Sequence, residues 1–418
     1  MPQEKAQGLN DLLPHKRPLD PKWTALAAAM LGFLLDAMDV LLYVFALGQI
    51  RQEFGLSNAQ AGMAMAATML ASAAGGIGAG VLSDRIGRRP TLMLTILLYS
   101  FGSALSATAT GLWSLILWRA VVGLGLGGEW SSGTVLVAES WPARDRAKAI
   151  GVMQSGFALG YMLAAALAAF VLPRWGWRVL FLIGVLPALM TFGIRRHVRE
   201  PEAWLKQERP APFTDLFRGA LLARTLIATA LATSMLFGYW GLFTWLPSFL
   251  ASPVEAGGAG LALLKTSGWT IAVQFGSLLG YWCFGWLADR FGRRVAFFLY
   301  VTGAAAAIPL YGLAPHWAGA SLETALLLIG PAVGFLGTGS FALFGAMLAE
   351  LYPTASRGAG QGFAYNFGRA LAAAAPVTIG TVADSRGLGF ALGLNAGFYL
   401  LAGLMVWTLP ETKGVSLD

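Results

Sequence analysis

Long apolar runs, separated by short polar breaks rich in glycine and proline, occupy almost the whole chain. A bilayer core about 30 Å thick needs about 20 apolar residues per helix. Twelve runs are long enough: 24–48, 59–82, 91–109, 112–138, 147–172, 177–195, 223–250, 265–287, 295–313, 323–349, 358–383 and 389–409. Pro or Gly interrupts several of them, which a membrane helix tolerates where it packs against neighbours or lines a cavity. The pattern predicts an all-α membrane protein with twelve transmembrane helices. The first 23 residues are polar, and the first run is too long for the apolar core of a leader, so no cleavable signal peptide is expected.

The chain also repeats itself at about half its length. Gly80-Val-Leu-Ser-Asp84-Arg-Ile-Gly-Arg-Arg89 returns 205 residues later as Gly285-Trp-Leu-Ala-Asp289-Arg-Phe-Gly-Arg-Arg294. Glu139-Ser-Trp-Pro142 with Arg146 returns 211 residues later as Glu350-Leu-Tyr-Pro353 with Arg357. The copies follow the second and fourth spans of each half. The expected division is an N-terminal tail, 1–23, a six-helix bundle, 24–195, a linker, 196–222, a second six-helix bundle, 223–409, and a tail, 410–418. The linker holds Pro201, Pro210 and Pro212 among mixed charges. Two pseudo-symmetric bundles imply a cavity between them and a rocking motion, which is transporter architecture.

Composition narrows the classes further. Of 418 residues, 56% are hydrophobic and 12% charged, against about 25% charged in soluble domains. This excludes a soluble enzyme, a nucleic-acid binder and a disordered chain. The single cysteine, Cys283, excludes an internal disulfide and reads as a packing residue. His15, His197 and His316 all fall near segment ends, so no metal site and no cofactor is expected. With both termini on the cytoplasmic side, 22 of the 29 Lys and Arg residues fall there and five fall outside. Arg119 and Arg369 lie inside spans. That split, rather than affinity for nucleic acid, accounts for the net charge of +8.

The two Gly-x-Leu-x-Asp-Arg-x-Gly-Arg-Arg loops and the Glu-x-x-Pro…Arg repeats, at matching places in both halves, resemble the signature of the major facilitator superfamily over residues 24–414. The resemblance implies a gating network on the cytoplasmic face formed by Asp84, Arg85, Arg88, Glu139 and Arg146 with Asp289, Arg290, Arg293, Glu350 and Arg357. The plainer reading of these positive loops is that they only set topology.

An ionisable side chain at the bilayer centre costs at least about 2.5–3.5 kcal/mol on insertion scales. Asp36, Asp39, Arg119, Glu129 and Arg369 are therefore functional candidates. Asp36 and Asp39 stand about 60° apart on one helix face, at about 100° per residue, and both can point at the cavity. Arg119 lies at their depth on span 4, so an Asp–Arg pair between spans 1 and 4 is expected, able to exchange a proton for an ion pair; the plainer reading is a static ion pair that fixes helix packing. Glu129 lies deeper and either relays the proton or braces the Asp84 loop. Arg369, near the midplane of span 11, has no acid of its own half at its depth. A carboxylate substrate would complete it, since the planar guanidinium donates two parallel hydrogen bonds; the other reading pairs it with Asp36. Tyr365, Asn366, Gln274, Gln154 and Tyr239 are the neutral polar residues expected at the substrate.

Finer likeness separates branches. Gly123-x-Gly-x-Gly-Gly-Glu129, Ala138-Glu-Ser-Trp-Pro142 and Arg357-Gly-x-Gly-x-Gly-x-x-Tyr-Asn366 resemble the sialate and lactate symporters. Leu35-Asp-Ala-Met-Asp39 and Gly368-Arg369 resemble the aromatic-acid symporters. Pro410-Glu-Thr-Lys-Gly414 is similar to sugar porters. The resemblance implies a proton-coupled importer of a small organic carboxylate, monocarboxylate or aromatic, working by alternating access. Its partners are the anion, protons and the lipid bilayer, with no nucleic acid. It is expected in the plasma (inner) membrane as a monomer, with both termini cytoplasmic. A sugar–proton symporter, a proton-antiport efflux pump and a transporter-like sensor are the alternatives.

Overall fold

The computed structural model describes residues 21–412 except 87, 129–132, 135–136, 138–139, 142, 190–212 and 354–356. Twelve helical crossings follow in order. In the first half these are α1 (Pro21–Phe54), α2 (Asn58–Ile86), α3 (Arg88–Ser106) and α4 (Leu112–Leu126), then Ala143–Ile183, which holds both α5 and α6. Gly176, at φ 73°, bends that stretch into two helices. Only glycine takes this left-handed conformation without strain.

The second half has α7 (Gly219–Phe243, extended by Leu246–Ala251), α8 (Leu263–Phe291) and α9 (Arg293–Gly312). It ends with α10 (Leu322–Gly339 and Phe341–Leu351), α11 (Arg357–Ala372 and Ala374–Arg386) and α12 (Leu388–Gly393 and Asn395–Met405). The break in α11 has a direct cause. Pro376 has no N–H to return to Ala372, so the first segment stops there.

Eight described stretches are each long and apolar enough to cross a membrane, and one of them contains both α5 and α6. The apolar parts of α3 and α4 are shorter. The remaining crossing, α11, is the most polar, because it carries Gln361, Tyr365, Asn366 and Arg369. Sequence expectation and structure differ mainly at helix ends. Span 4 was expected over 112–138; its helix runs unbroken over Leu112–Leu126, and most of 129–138 lies outside the described residues. Most of the expected 196–222 linker lies outside the described residues; its end is a short 3-10 turn, Phe213–Phe217, packed on Phe363 of α11.

Packing is repeated between the halves. Helix α1 lies on α5 and α2 on α4; correspondingly α7 lies on α11 and α8 on α10. The halves meet through α2 with α11 and α5 with α8. A shift of six helices converts one of these pairs into the other, so the fold has twofold pseudo-symmetry. The close α2–α4 contact depends on glycine. A Cβ on Gly123 or Gly127 would collide with the carbonyl oxygen of Thr68 or Ser72 on α2. That contact fixes which face of α2 is left for the seam between the halves.

Local chemistry sets several ends. Ser57 and Gln60 cap α2 reciprocally: Ser57 N donates to Gln60 Oε1 at 3.0 Å and Gln60 N to Ser57 Oγ at 3.2 Å. Glu53 at the end of α1 receives Trp177 Nε1 at 2.8 Å and two Arg178 nitrogens at 2.9 and 2.7 Å. These bonds pin the α5–α6 bend. Gly292 alone joins α8 to α9, and Glu411 accepts from the backbone N of Arg293 and Arg294 at 2.9 and 3.2 Å.

Candidate functional site

A cavity lies at the seam between the halves. From the first half it is lined by Phe33, Asp36 and Val40 of α1, Thr68, Met69 and Ser72 of α2, Leu126, and Gln154 and Phe157 of α5. From the second half come Leu236, Tyr239 and Trp240 of α7, Tyr281, Phe341, and Tyr365 and Arg369 of α11. On α1 the lining residues are spaced three and four apart, and on α11 four apart, so each helix offers one face. Seven of the sixteen are aromatic and only two are charged. Phe157 meets the rings of Tyr239 and Trp240 at 5.9 and 6.5 Å across the seam, and Tyr239 meets Phe341 at 5.4 Å. The result is an apolar slot with one acid and one base in its wall.

The base is held from both sides. Arg369 Nη1 donates to Ser72 Oγ on α2 at 2.6 Å, and its guanidinium lies 4.9 Å from the Tyr365 ring centroid. Its Nε is buried and donates no hydrogen bond. Gln154 Nε2 reaches the Phe341 carbonyl at 3.3 Å, also across the seam. Tyr239 Oη is buried without a hydrogen bond. Among the described residues, no salt bridge joins Arg369 to Asp36.

The second acid sits elsewhere. Asp36 and Asp39 were both expected to face the cavity, but only Asp36 lines it. Asp39 is fully enclosed in the first half, where Ser103 and Gly184 close over its carboxylate. The expected partner, Arg119, is equally enclosed, and it is the positive charge whose field reaches Asp39. The two do not form a contact ion pair. Arg119 donates instead to Thr68 Oγ1 and the Val40 carbonyl, both at 3.4 Å, and lies 5.2 Å from the Tyr43 ring centroid. Both Asp39 oxygens lack a hydrogen bond, as does Arg119 Nη1.

The other candidates scatter. Asn366 is buried beside Gly76 of α2, donates to the Gly362 carbonyl at 3.0 Å, and does not line the cavity. Gln274 is buried in α8, also off the cavity wall. Cys283 is exposed on α8 rather than packed, as its neighbours Trp282 and Trp286 are. Glu129 and Glu139 lie outside the described residues, as do the side chains of Asp84, Arg85, Arg88, Arg146, Asp289, Glu350 and Arg357. Of the signature-loop residues that are described, Arg290 is exposed against Trp286 and Phe291, while Arg293 is buried at the start of α9.

Sequence reasoning missed Ser72, Thr68 and the aromatic wall of Phe33, Phe157 and Phe341. Hydroxyl and phenyl groups are ordinary in membrane helices, and nothing in their spacing separates a seam from a lipid face.

One side of the seam is an antiparallel α2–α11 pair. Asn58 meets Asp384 at the end of the bundle away from the signature loops. Gly62 lies against the Pro376 carbonyl, Ser72 bonds Arg369, and Gly76 lies against Asn366. Asp384 receives Asn58 N, Asn58 Nδ2 and Ala59 N at 3.0, 2.7 and 3.1 Å, so a carboxylate of α11 caps the N-terminus of α2. Tyr161 Oη donates to the Phe243 carbonyl at 2.8 Å between α5 and α7.

Comparison with known proteins agrees with this architecture. A family model described as Major Facilitator Superfamily matches residues 29–264, and one described as Sugar (and other) transporter matches 224–418. A Haemophilus influenzae protein named only for metabolite transport is 35% identical over 95% of this chain and 98% of its own length. The cis,cis-muconate transport protein of Acinetobacter baylyi is 31% identical over 90% and 91%, and the sialic acid transporter NanX of Escherichia coli is 31% identical over the same shares. Among solved structures, the proton:xylose symporter XylE bound to 6-bromo-6-deoxy-D-glucose superposes with a TM-score of 0.76 at 20% identity, covering 95% of this chain and 97% of that one. At that identity the likeness shows the fold alone.

Proposed function

Because the chain belongs to the major facilitator superfamily and is a multi-pass membrane transporter rather than an enzyme, we propose that it imports a small organic acid together with a proton. The observation that carries this reading is Arg369, a cation facing a cavity whose walls are otherwise largely apolar and aromatic. A flat, unsaturated or aromatic carboxylate fits both features: rings stack on rings, and a carboxylate takes the guanidinium fork. Relatives named for muconate and sialic acid transport support the acid class.

Coupling follows from charge. The exchangeable proton belongs on Asp36, supported by its position on the cavity wall. Asp39 and Arg119 form the fixed field behind it. With neither substrate nor proton, Asp36 and Arg369 cancel. With both, the anion cancels Arg369 and the protonated Asp36 is neutral. Either one alone leaves a net charge in a closing apolar cavity, which is costly. The two end states without net charge are the ones that can rock, and that is symport. The two six-helix bundles, 24–195 and 223–409, are the moving bodies. The protein works as a monomer in the inner membrane, with its signature loops and termini cytoplasmic.

Uptake by purified protein in liposomes tests this. An inward proton gradient should drive accumulation of a labelled monocarboxylic acid such as benzoate, and Arg369→Ala should abolish it. Uptake of sugars with acids inert, or normal acid uptake by Arg369→Ala, would refute the reading.

A further inference from the structure

Ser72 departs from a pattern that several other membrane-helix hydroxyls of this chain follow. Thr68, Ser106, Thr233, Thr270 and Thr338 each return their proton to the carbonyl one turn back, at 2.7–3.0 Å. This is the usual way a helix satisfies such a group. Ser72 Oγ does not do so. It accepts from Arg369 Nη1 at 2.6 Å, and among the described residues no acceptor takes its own proton. The residue is 4% exposed and lines the cavity. Its backbone cannot roll away, because its carbonyl lies against Gly127 of α4. The site therefore offers a buried, fixed O–H donor beside a guanidinium, with an apolar slot in front of both.

We propose that Ser72 is a direct ligand of the transported acid, accepting from Arg369 while donating to the substrate carboxylate. The inference rests on the reading that Arg369 takes the acid. Its content is separate: the carboxylate is held by α2 of the first half and α11 of the second at once, and the hydroxyl helps select an anion over a neutral isostere. An ionised carboxylate accepts at both oxygens, so Arg369 and Ser72 can donate together. An amide of the same shape offers one acceptor and turns a second donor toward this pair, leaving buried groups unmatched.

The test uses Trp fluorescence of the whole protein in detergent, since Trp240 is in the cavity wall. Wild type, Ser72→Ala, Ser72→Thr and Arg369→Ala are titrated with benzoate and with its amide, benzamide. Wild type should prefer benzoate. Ser72→Ala should weaken benzoate by about 10-fold, the loss of one hydrogen bond to a charged group, and leave benzamide unchanged. Ser72→Thr should return benzoate affinity to within about 3-fold, because it restores the hydroxyl. Wild-type benzoate affinity in Ser72→Ala, with affinity lost in Arg369→Ala, would overturn the Ser72 proposal and leave the carboxylate reading intact. Equal loss of benzoate and benzamide in Ser72→Ala would make Ser72 a packing residue and overturn it too. Affinity retained in Arg369→Ala, or no benzoate binding by wild type, would remove the reading on which both stand.

Discussion

Among the described residues, two groups of ionisable side chains lie at membrane depth, and the fold treats them in opposite ways. Asp39 and Arg119 are enclosed within the first half, between helices that pack on one another. Asp36 and Arg369 stand on the seam, on α1 and α11, and Arg369 has its one hydrogen-bond partner on the other half. A charge inside one rigid body keeps its surroundings through a transport cycle. A charge on the seam must change partners whenever the seam opens. The enclosed pair is therefore suited to setting a fixed field, and the seam residues to binding and releasing cargo.

The sharpest way to break this contrast is to neutralise the seam acid. Asp36→Asn should abolish proton-driven accumulation while leaving exchange of acid across the membrane, because the cavity then stays neutral with anion bound to Arg369. Paired uptake and counterflow assays in liposomes separate the two. Accumulation persisting in Asp36→Asn but lost in Asp39→Asn would move the working proton into the enclosed pair and reverse the comparison.

Both groups stood out in the sequence for one reason: a charge in an apolar run is expensive, so the run advertises it. The twelve crossings were legible for a similar reason, since the bilayer sets a length that composition must meet, and α11 was legible as a span even with its polar face. Orientation was not legible to the same degree. Asp36 and Asp39 differ by about 60° around α1, and only the neighbours of α1 decide that one faces the cavity and the other faces Ser103. Ser72 was invisible because a helical serine normally satisfies itself locally, so its identity carries no hint of a partner on α11 nearly 300 residues away. The α11 break was likewise marked only by Pro376, one of 19 prolines.

The enclosed pair should show itself in stability rather than transport. Asp39→Asn leaves Arg119 buried without its nearby negative charge; because the two are not in contact, the cost is expected at about 1–3 kcal/mol, below that of a broken contact ion pair. Arg119→Met alone should cost about as much. The double variant should recover most of the loss, because two neutral side chains replace two charges. Denaturant or thermal unfolding of all four forms in one detergent gives the coupling directly. Additive losses would mean that the two groups are held by separate neighbours, and the fixed-field role would fall.

The smallest effect is expected where the seam is held by hydrogen bonds at its far end. Asp384 takes three donors from the first turn of α2, while among the described residues the middle of the same helix pair has the single Ser72–Arg369 bond. The far end should therefore be the latch and the middle the part that yields to substrate. Asp384→Ala removes a cap worth about 1 kcal/mol, enough to shift the open population at that end about 5-fold. Asp384→Asn keeps an acceptor and loses only the charge facing the α2 N-terminus, about 0.5 kcal/mol or 2-fold. Amide hydrogen exchange over residues 61–65, one turn inside the capped end, reads the opening without depending on the amides that Asp384 itself protects. Exchange should rise in the order wild type, Asn, Ala. Unchanged exchange in Asp384→Ala would place the closure elsewhere on this face, with the Tyr161–Phe243 contact between α5 and α7 as the bond to test next.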